Sequence, residues 1–218
     1  MKRLCNYSLA MAIAIIVELV LSICFFVRFD STLCICYNVV NILQVVFLIW
    51  LAKMLPWKTY KPIVIGLYIT GIVLCICICI CIIEIQPLIF QAIEYYSEYY
   101  DDYYDIFRAI CPAFGDSDIV QWSIFDSTIK ITVSLTWIAA IVVWVLMSRI
   151  FSGKIKIISI FCIIFVSLYG IMFEVFKIFD YSDLYHWLIQ IFNNLYLLAT
   201  AAFYYTFYQL KKNFNNGT

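Results

Sequence analysis

Glu18 is the one charged side chain in the apolar stretch 8–27. A carboxylate at that depth of a hydrophobic segment is costly when ionised, and it turns toward a bundle interior or a water-filled cavity. It therefore reads either as a proton or cation site or as a protonated acid bonded to a neighbouring helix. Further polar residues recur at helical spacing: Asn38, Asn41 and Gln44 in one apolar stretch, and His186, Gln190, Asn193, Asn194, Thr200 and Tyr204 in another. At about 100° per residue the latter six fall within about 120° of one another, a single polar face. Ser123, Asp126, Ser127, Lys130 and Ser134 form a third such stripe. Amides and hydroxyls on facing helices hold membrane helices together at roughly 0.6–2 kcal/mol per contact, and the same faces turned to a common lumen would line a path. Spacing alone admits both arrangements.

Cys75, Cys77, Cys79 and Cys81 alternate with isoleucine. On a helix that period of two splits the thiols, Cys75 with Cys79 on one side and Cys77 with Cys81 roughly opposite, so one four-thiolate metal site is not available and packing is the simpler reading. Cys34, Cys36 and Cys111 lie at or beyond the ends of apolar stretches, where an oxidising compartment would let Cys111 bridge to Cys34 or Cys36. Asp126 with Lys130, and Glu174 with Lys177, are spaced to neutralise each other on a helix face. The chain has no G-x-S-x-G, H-E-x-x-H or G-x-x-x-x-G-K-[ST] motif, and its single histidine leaves no histidine-cluster metal chemistry. The expectation is a protein without enzyme activity, cofactor or metal.

The elements that carry these residues follow from composition. Of 218 residues, 66% are hydrophobic and 13% charged, with mean hydropathy +0.98, where a soluble domain carries about 25% charged residues. Six apolar runs, at about 8–27, 33–52, 62–83, 128–148, 155–176 and 184–209, are each long enough to cross a hydrocarbon core about 30 Å thick. The fourth helix is expected to begin earlier than its apolar run, around Asp118. The fold class expected is all-α integral membrane, a single polytopic domain forming a bundle of about six transmembrane helices. Lys2 and Arg3 ahead of the first run resemble a secretory leader, but the run is too long and has no clean small-residue cleavage site, so it reads as a retained first helix.

Charge sorting orients the spans. With the N-terminus inside, the inner segments hold ten basic residues, Lys2, Arg3, Lys53, Lys58, Lys61, Arg149, Lys154, Lys156, Lys211 and Lys212, and no acid. The positive-inside bias then agrees at every connection and puts both termini in the cytosol. The long outer loop, about 84–120, is rich in tyrosine and acidic. Its residues 84–118 hold eight acids against Arg108 alone, a net of −7. Glu94, Glu98, Asp101, Asp102 and Asp105 recur at three- and four-residue steps opposite Ile93, Tyr96, Tyr100, Tyr103, Phe107 and Ile110, the pattern of an amphipathic helix at the outer interface that concentrates cations. A net charge of zero offers no bulk basic surface for nucleic acid.

The turn Lys53-Met54-Leu55-Pro56-Trp57 and the ending from Asn194 to Lys212, NLYLLATAAFYYTFYQLKK, resemble features of the small tetraspanning animal membrane proteins related to the lysosome-associated tetraspanning family. The family has four spans where this chain reads as six. The resemblance implies a plasma or endolysosomal membrane. The expected function is a non-enzymatic multi-pass protein that organises or regulates membrane-protein partners in the lipid bilayer. The alternative is a small proton- or cation-coupled transporter or channel using Glu18 and the polar faces of spans two and six.

Overall fold

A computed structural model describes residues 2–24, 31–85, 119–176 and 183–215. Within them the chain is all α, with six helices: α1 (Lys2–Cys24), α2 (Ser31–Met54), α3 (Trp57–Ile80), α4 (Ile119–Ile150), α5 (Gly153–Phe176) and α6 (Asp183–Asn215). α3 continues into a five-residue π-helical turn, Cys81–Ile85. Three helical stretches, Leu4–Ile23, Trp57–Ile83 and Gly153–Met172, are long and apolar enough to cross a membrane, while α2 and α4 carry the shorter apolar stretches Asn38–Met54 and Ser134–Ile150. α6 falls in neither set, because its polar face dilutes its hydropathy.

Two helix ends differ from the apolar runs. α1 is helical from Lys2 rather than from near residue 8, and α4 is already helical at Ile119, where its described residues begin, ahead of its apolar run at about 128. Apolarity marks where a helix meets an apolar medium, whereas hydrogen bonding carries the helix on past that boundary.

Short turns at the basic end set the helix order. Pro56, with φ −65° and ψ 114°, caps α3, and its carbonyl accepts from the amides of Thr59 and Tyr60 at 3.1 and 3.0 Å. Tyr60 leaves helical geometry two residues before Pro62, whose missing N–H removes one rung of the ladder, so α3 is bent at its start. Between α4 and α5, Gly153 adopts φ +63°, a conformation that costs an L side chain about 1–2 kcal/mol.

Each helix packs against its chain neighbours, and α6 closes back onto α1, so the six form a ring. The seam between α1 and α6 is the most extensive, followed by that between α5 and α6. α1 presents Leu4, Ser8, Met11, Ala12, Ile15 and Glu18 inward, all buried, and turns Ile13, Ile16, Val20 and Ile23 outward. α3 likewise exposes Ile65, Ile69, Ile72 and Ile76. A polar group inside and an isoleucine stripe outside invert the usual soluble pattern, and they match a ring with hydrocarbon around it.

Toward the basic end the ring is plugged by aromatic side chains. Phe47 of α2 meets Tyr204 and Phe207 of α6 edge-on, with ring centroids 4.9 and 5.5 Å apart. Phe203 meets Trp144 at 4.9 Å and Phe151 at 6.0 Å. Edge-to-face pairs of this kind contribute about 0.5–1.5 kcal/mol each beyond their area burial.

Candidate functional site: a cavity enclosed by the helix ring

Beyond the aromatic plug the ring holds a cavity of about 270 Å³, to which all six helices contribute. Glu18 enters it from α1, Asn41 and Gln44 from α2, Asn193, Tyr196 and Tyr204 from α6. α4 adds Thr132, Thr136, Trp137 and Trp144, α5 adds Tyr169, and the π-helical turn adds Cys81.

Glu18 is 6% exposed, and its Oε2 has no hydrogen-bond partner among the described residues. Leaving such a group unpaired in a protein interior costs about 1–3 kcal/mol. The chain thus carries a carboxyl oxygen that its own fold leaves unsatisfied, beside three amide side chains that share the cavity with it.

The α6 stripe divides between two roles. On the side facing α1, Gln190 Nε2 donates to the Ser22 carbonyl at 2.9 Å and to Ser22 Oγ at 2.6 Å, and Ser22 Oγ donates to Asn194 Oδ1 at 3.1 Å. This is interhelical glue. On the adjacent side Asn193 faces the cavity. Thr200 is fully buried. Asn194 serves the α1 seam through Ser22, one turn along α1 from Glu18. On α2, Asn41 and Gln44 reach the cavity, and Asn38 is buried without lining it.

Several expectations fall outside the described residues: the His186 and Cys34 side chains, Cys111, the Asp126–Lys130 and Glu174–Lys177 pairs, and the acidic loop with Glu94, Glu98, Asp101, Asp102 and Asp105. Cys36, at the start of α2, is half-buried, and the expected bridge from Cys111 to Cys34 or Cys36 lies outside the described residues with Cys111. Among the described residues no group of three or more potential ligands is placed to hold a metal ion. In α3, Cys75 and Cys79 are exposed and Cys77 is buried, the split that a 100° step gives.

The aromatic half of the lining is what sequence reasoning missed. Tyr196 extends the spacing of Asn193, Thr200 and Tyr204, so periodicity held a signal for it, whereas Thr132 and Thr136 fall on the side of α4 opposite the Ser123–Ser134 stripe. Trp137 and Tyr169 gave none, since aromatic residues pack equally well against lipid or core. Their rings lie 4.0 Å apart, centroid to centroid, tilted by 51°. Gly170 permits this approach, because a Cβ there would stand 3.3 Å from Trp137 Cε3.

The fold and cavity define an all-helical ring with an apolar exterior, a class of structure compatible with a membrane location. No protein-family model, curated protein or solved structure matches the chain.

Proposed function

We propose that this chain is a six-span, non-enzymatic membrane protein with both termini in the cytosol, and that its helix ring is a small carrier or channel for a cation, or for a solute moved together with protons. The observation that carries the proposal is Glu18. Its carboxyl is buried, leaves Oε2 without a hydrogen-bond partner and stands in a cavity shared with Asn41, Gln44 and Asn193. Intramembrane acids facing a cavity mark ion pathways and proton relays. The sorting of ten basic residues to one side supports the orientation. The net charge of −7 over 84–118 supports a cationic cargo, because it would raise cation concentration at the outer mouth.

The Ser22–Gln190–Asn194 contact favours a second reading, in which polar faces serve only to hold helices together and the protein organises or regulates partners in a plasma or endolysosomal membrane. Solvent access separates the two. Thr136→Cys lines the cavity and Ile138→Cys faces outward. With a membrane-impermeant thiol reagent applied to cells or sealed vesicles, and peptide mass spectrometry to localise the adduct, the carrier reading expects labelling at position 136 and none at 138. Protection of both positions from either side of the membrane would leave the partner-organising reading.

A further inference from the structure

The cavity's walls narrow the kind of cargo. Five aromatic side chains line it: Trp137 and Trp144 from α4, Tyr169 from α5, Tyr196 and Tyr204 from α6. Most of the remaining surface is aliphatic, as at Val40, Leu74, Val166 and Leu197. Glu18 is the only ionisable acid in this lining, and no lysine or arginine accompanies it among the described residues. A bare inorganic cation prefers a cage of oxygens, six to eight for Ca²⁺, and these aliphatic and aromatic walls supply few. Aromatic rings around one carboxyl suit a different ion, one that carries its charge on an apolar body. The ring faces attract the positive charge through their quadrupoles, and the apolar groups bury against aliphatic wall.

The position of the carboxyl fits the same ligand. Glu18 is more than nine-tenths buried, opens onto the cavity and spends none of its acceptor capacity on the protein through Oε2. The amides of Asn41, Gln44 and Asn193 can accept N–H bonds from a primary or tertiary ammonium, whereas a quaternary one would be held by the rings and by the Glu18 charge, without hydrogen bonds. On the α4 side, Trp144 Nε1 donates to the Tyr196 hydroxyl at 3.2 Å, which holds that ring in place. A volume of about 270 Å³ lies near the lower end of ligand cavities, about 300–1,000 Å³, and suits a small molecule.

We infer that the cavity binds a small organic ammonium ion, with its charged nitrogen against Glu18 and its alkyl groups against Trp137, Tyr169 and Tyr196. This deepens the carrier reading and rests on it.

The test uses the full chain purified in detergent, with radiolabelled tetraethylammonium as probe and with tetramethylammonium, tert-butanol and sodium as competitors. Saturable binding is expected, displaced by tetramethylammonium and not by tert-butanol or sodium at equal concentration. Glu18→Gln should weaken it at least tenfold and Glu18→Asp by much less. Tyr169→Leu should weaken it about 2- to 30-fold, the range that one cation–π contact spans. Equal affinity in the wild type and Glu18→Gln, or equal displacement by tert-butanol or sodium, overturns the inference. Absence of saturable binding in a chain whose Thr136→Cys variant is labelled from solvent also overturns it and leaves the carrier reading standing. Protection of Thr136→Cys from solvent removes both together.

Discussion

Trp144 on α4 and Tyr196 on α6 are joined by a hydrogen bond of 3.2 Å from the indole Nε1 to the phenolic oxygen, although α4 and α6 are not consecutive members of the ring. Phe47 makes a comparable crossing from α2, meeting Tyr204 and Phe207 edge-on. Such braces hold α6 against the far wall at the edge of the cavity, so that α5 is not its only support there. Replacing the indole by phenyl, Trp144→Phe, keeps an aromatic ring and removes the donor. It should lower stability by about 1 kcal/mol, read as a reduced midpoint of unfolding in a denaturing-detergent titration. A midpoint equal to wild type would show that the bond contributes nothing.

Glu18 should be replaceable without loss of folding. Since Oε2 is unpaired, Glu18→Leu orphans no bond to that oxygen and removes a desolvated polar group, which here costs about 1–3 kcal/mol. Glu18→Leu and Glu18→Gln should both unfold at or above the wild-type midpoint, and both should lose transport. A Leu variant that is clearly less stable than the Gln variant would point to a partner for the carboxyl.

The Ser22 hydroxyl accepts from Gln190 and donates to Asn194 at once, so Ser22→Ala removes both links in one step. Membrane helix bonds average about 0.6 kcal/mol and reach about 1.7, which sets an expected loss of roughly 1–2 kcal/mol, with the Ser22 carbonyl still serving Gln190. In a double-mutant cycle with Asn194→Leu, the second substitution should then add less than it does alone. Full additivity would mean that the two side chains do not interact.

Gly153 opens α5 with φ +63°. Gly153→Ala should cost about 1–2 kcal/mol through the left-handed backbone alone, with no Cβ clash, since nothing lies within 4 Å of that position. Gly153→Asn should recover part of the loss, because Asn tolerates that region better. Equal unfolding midpoints for the wild type and both variants would show that the turn relaxes.

Both termini should stay on the side that carries Lys2, Arg3, Lys211 and Lys212. Asn6-Tyr7-Ser8 and Asn216-Gly217-Thr218 match glycosylation sequons and should remain unmodified. Glycan on an engineered, extended C-terminal sequon would reverse the orientation.

The sequence by itself determined the approximate places of the six helices among the described residues and the sorting of charge between the ends of the apolar runs, because hydropathy and residue spacing act within one segment at a time. It also isolated Glu18 and drew the stripes through Asn41, Gln44 and Asn193. Tertiary structure decided what those stripes face. A periodic pattern fixes a side chain's angle about its own helix axis and says nothing of how that helix is rotated against its neighbours, so glue and lumen share one signature. Only the closing of α6 onto α1 sends Gln190 and Asn194 to Ser22 and leaves Asn193 to the cavity. The aromatic wall was invisible for a related reason. Trp137, Tyr169 and Tyr196 satisfy lipid, core and cavity alike, and only the packing of three helices from distant parts of the chain brings their rings to the cavity that holds the Glu18 carboxyl.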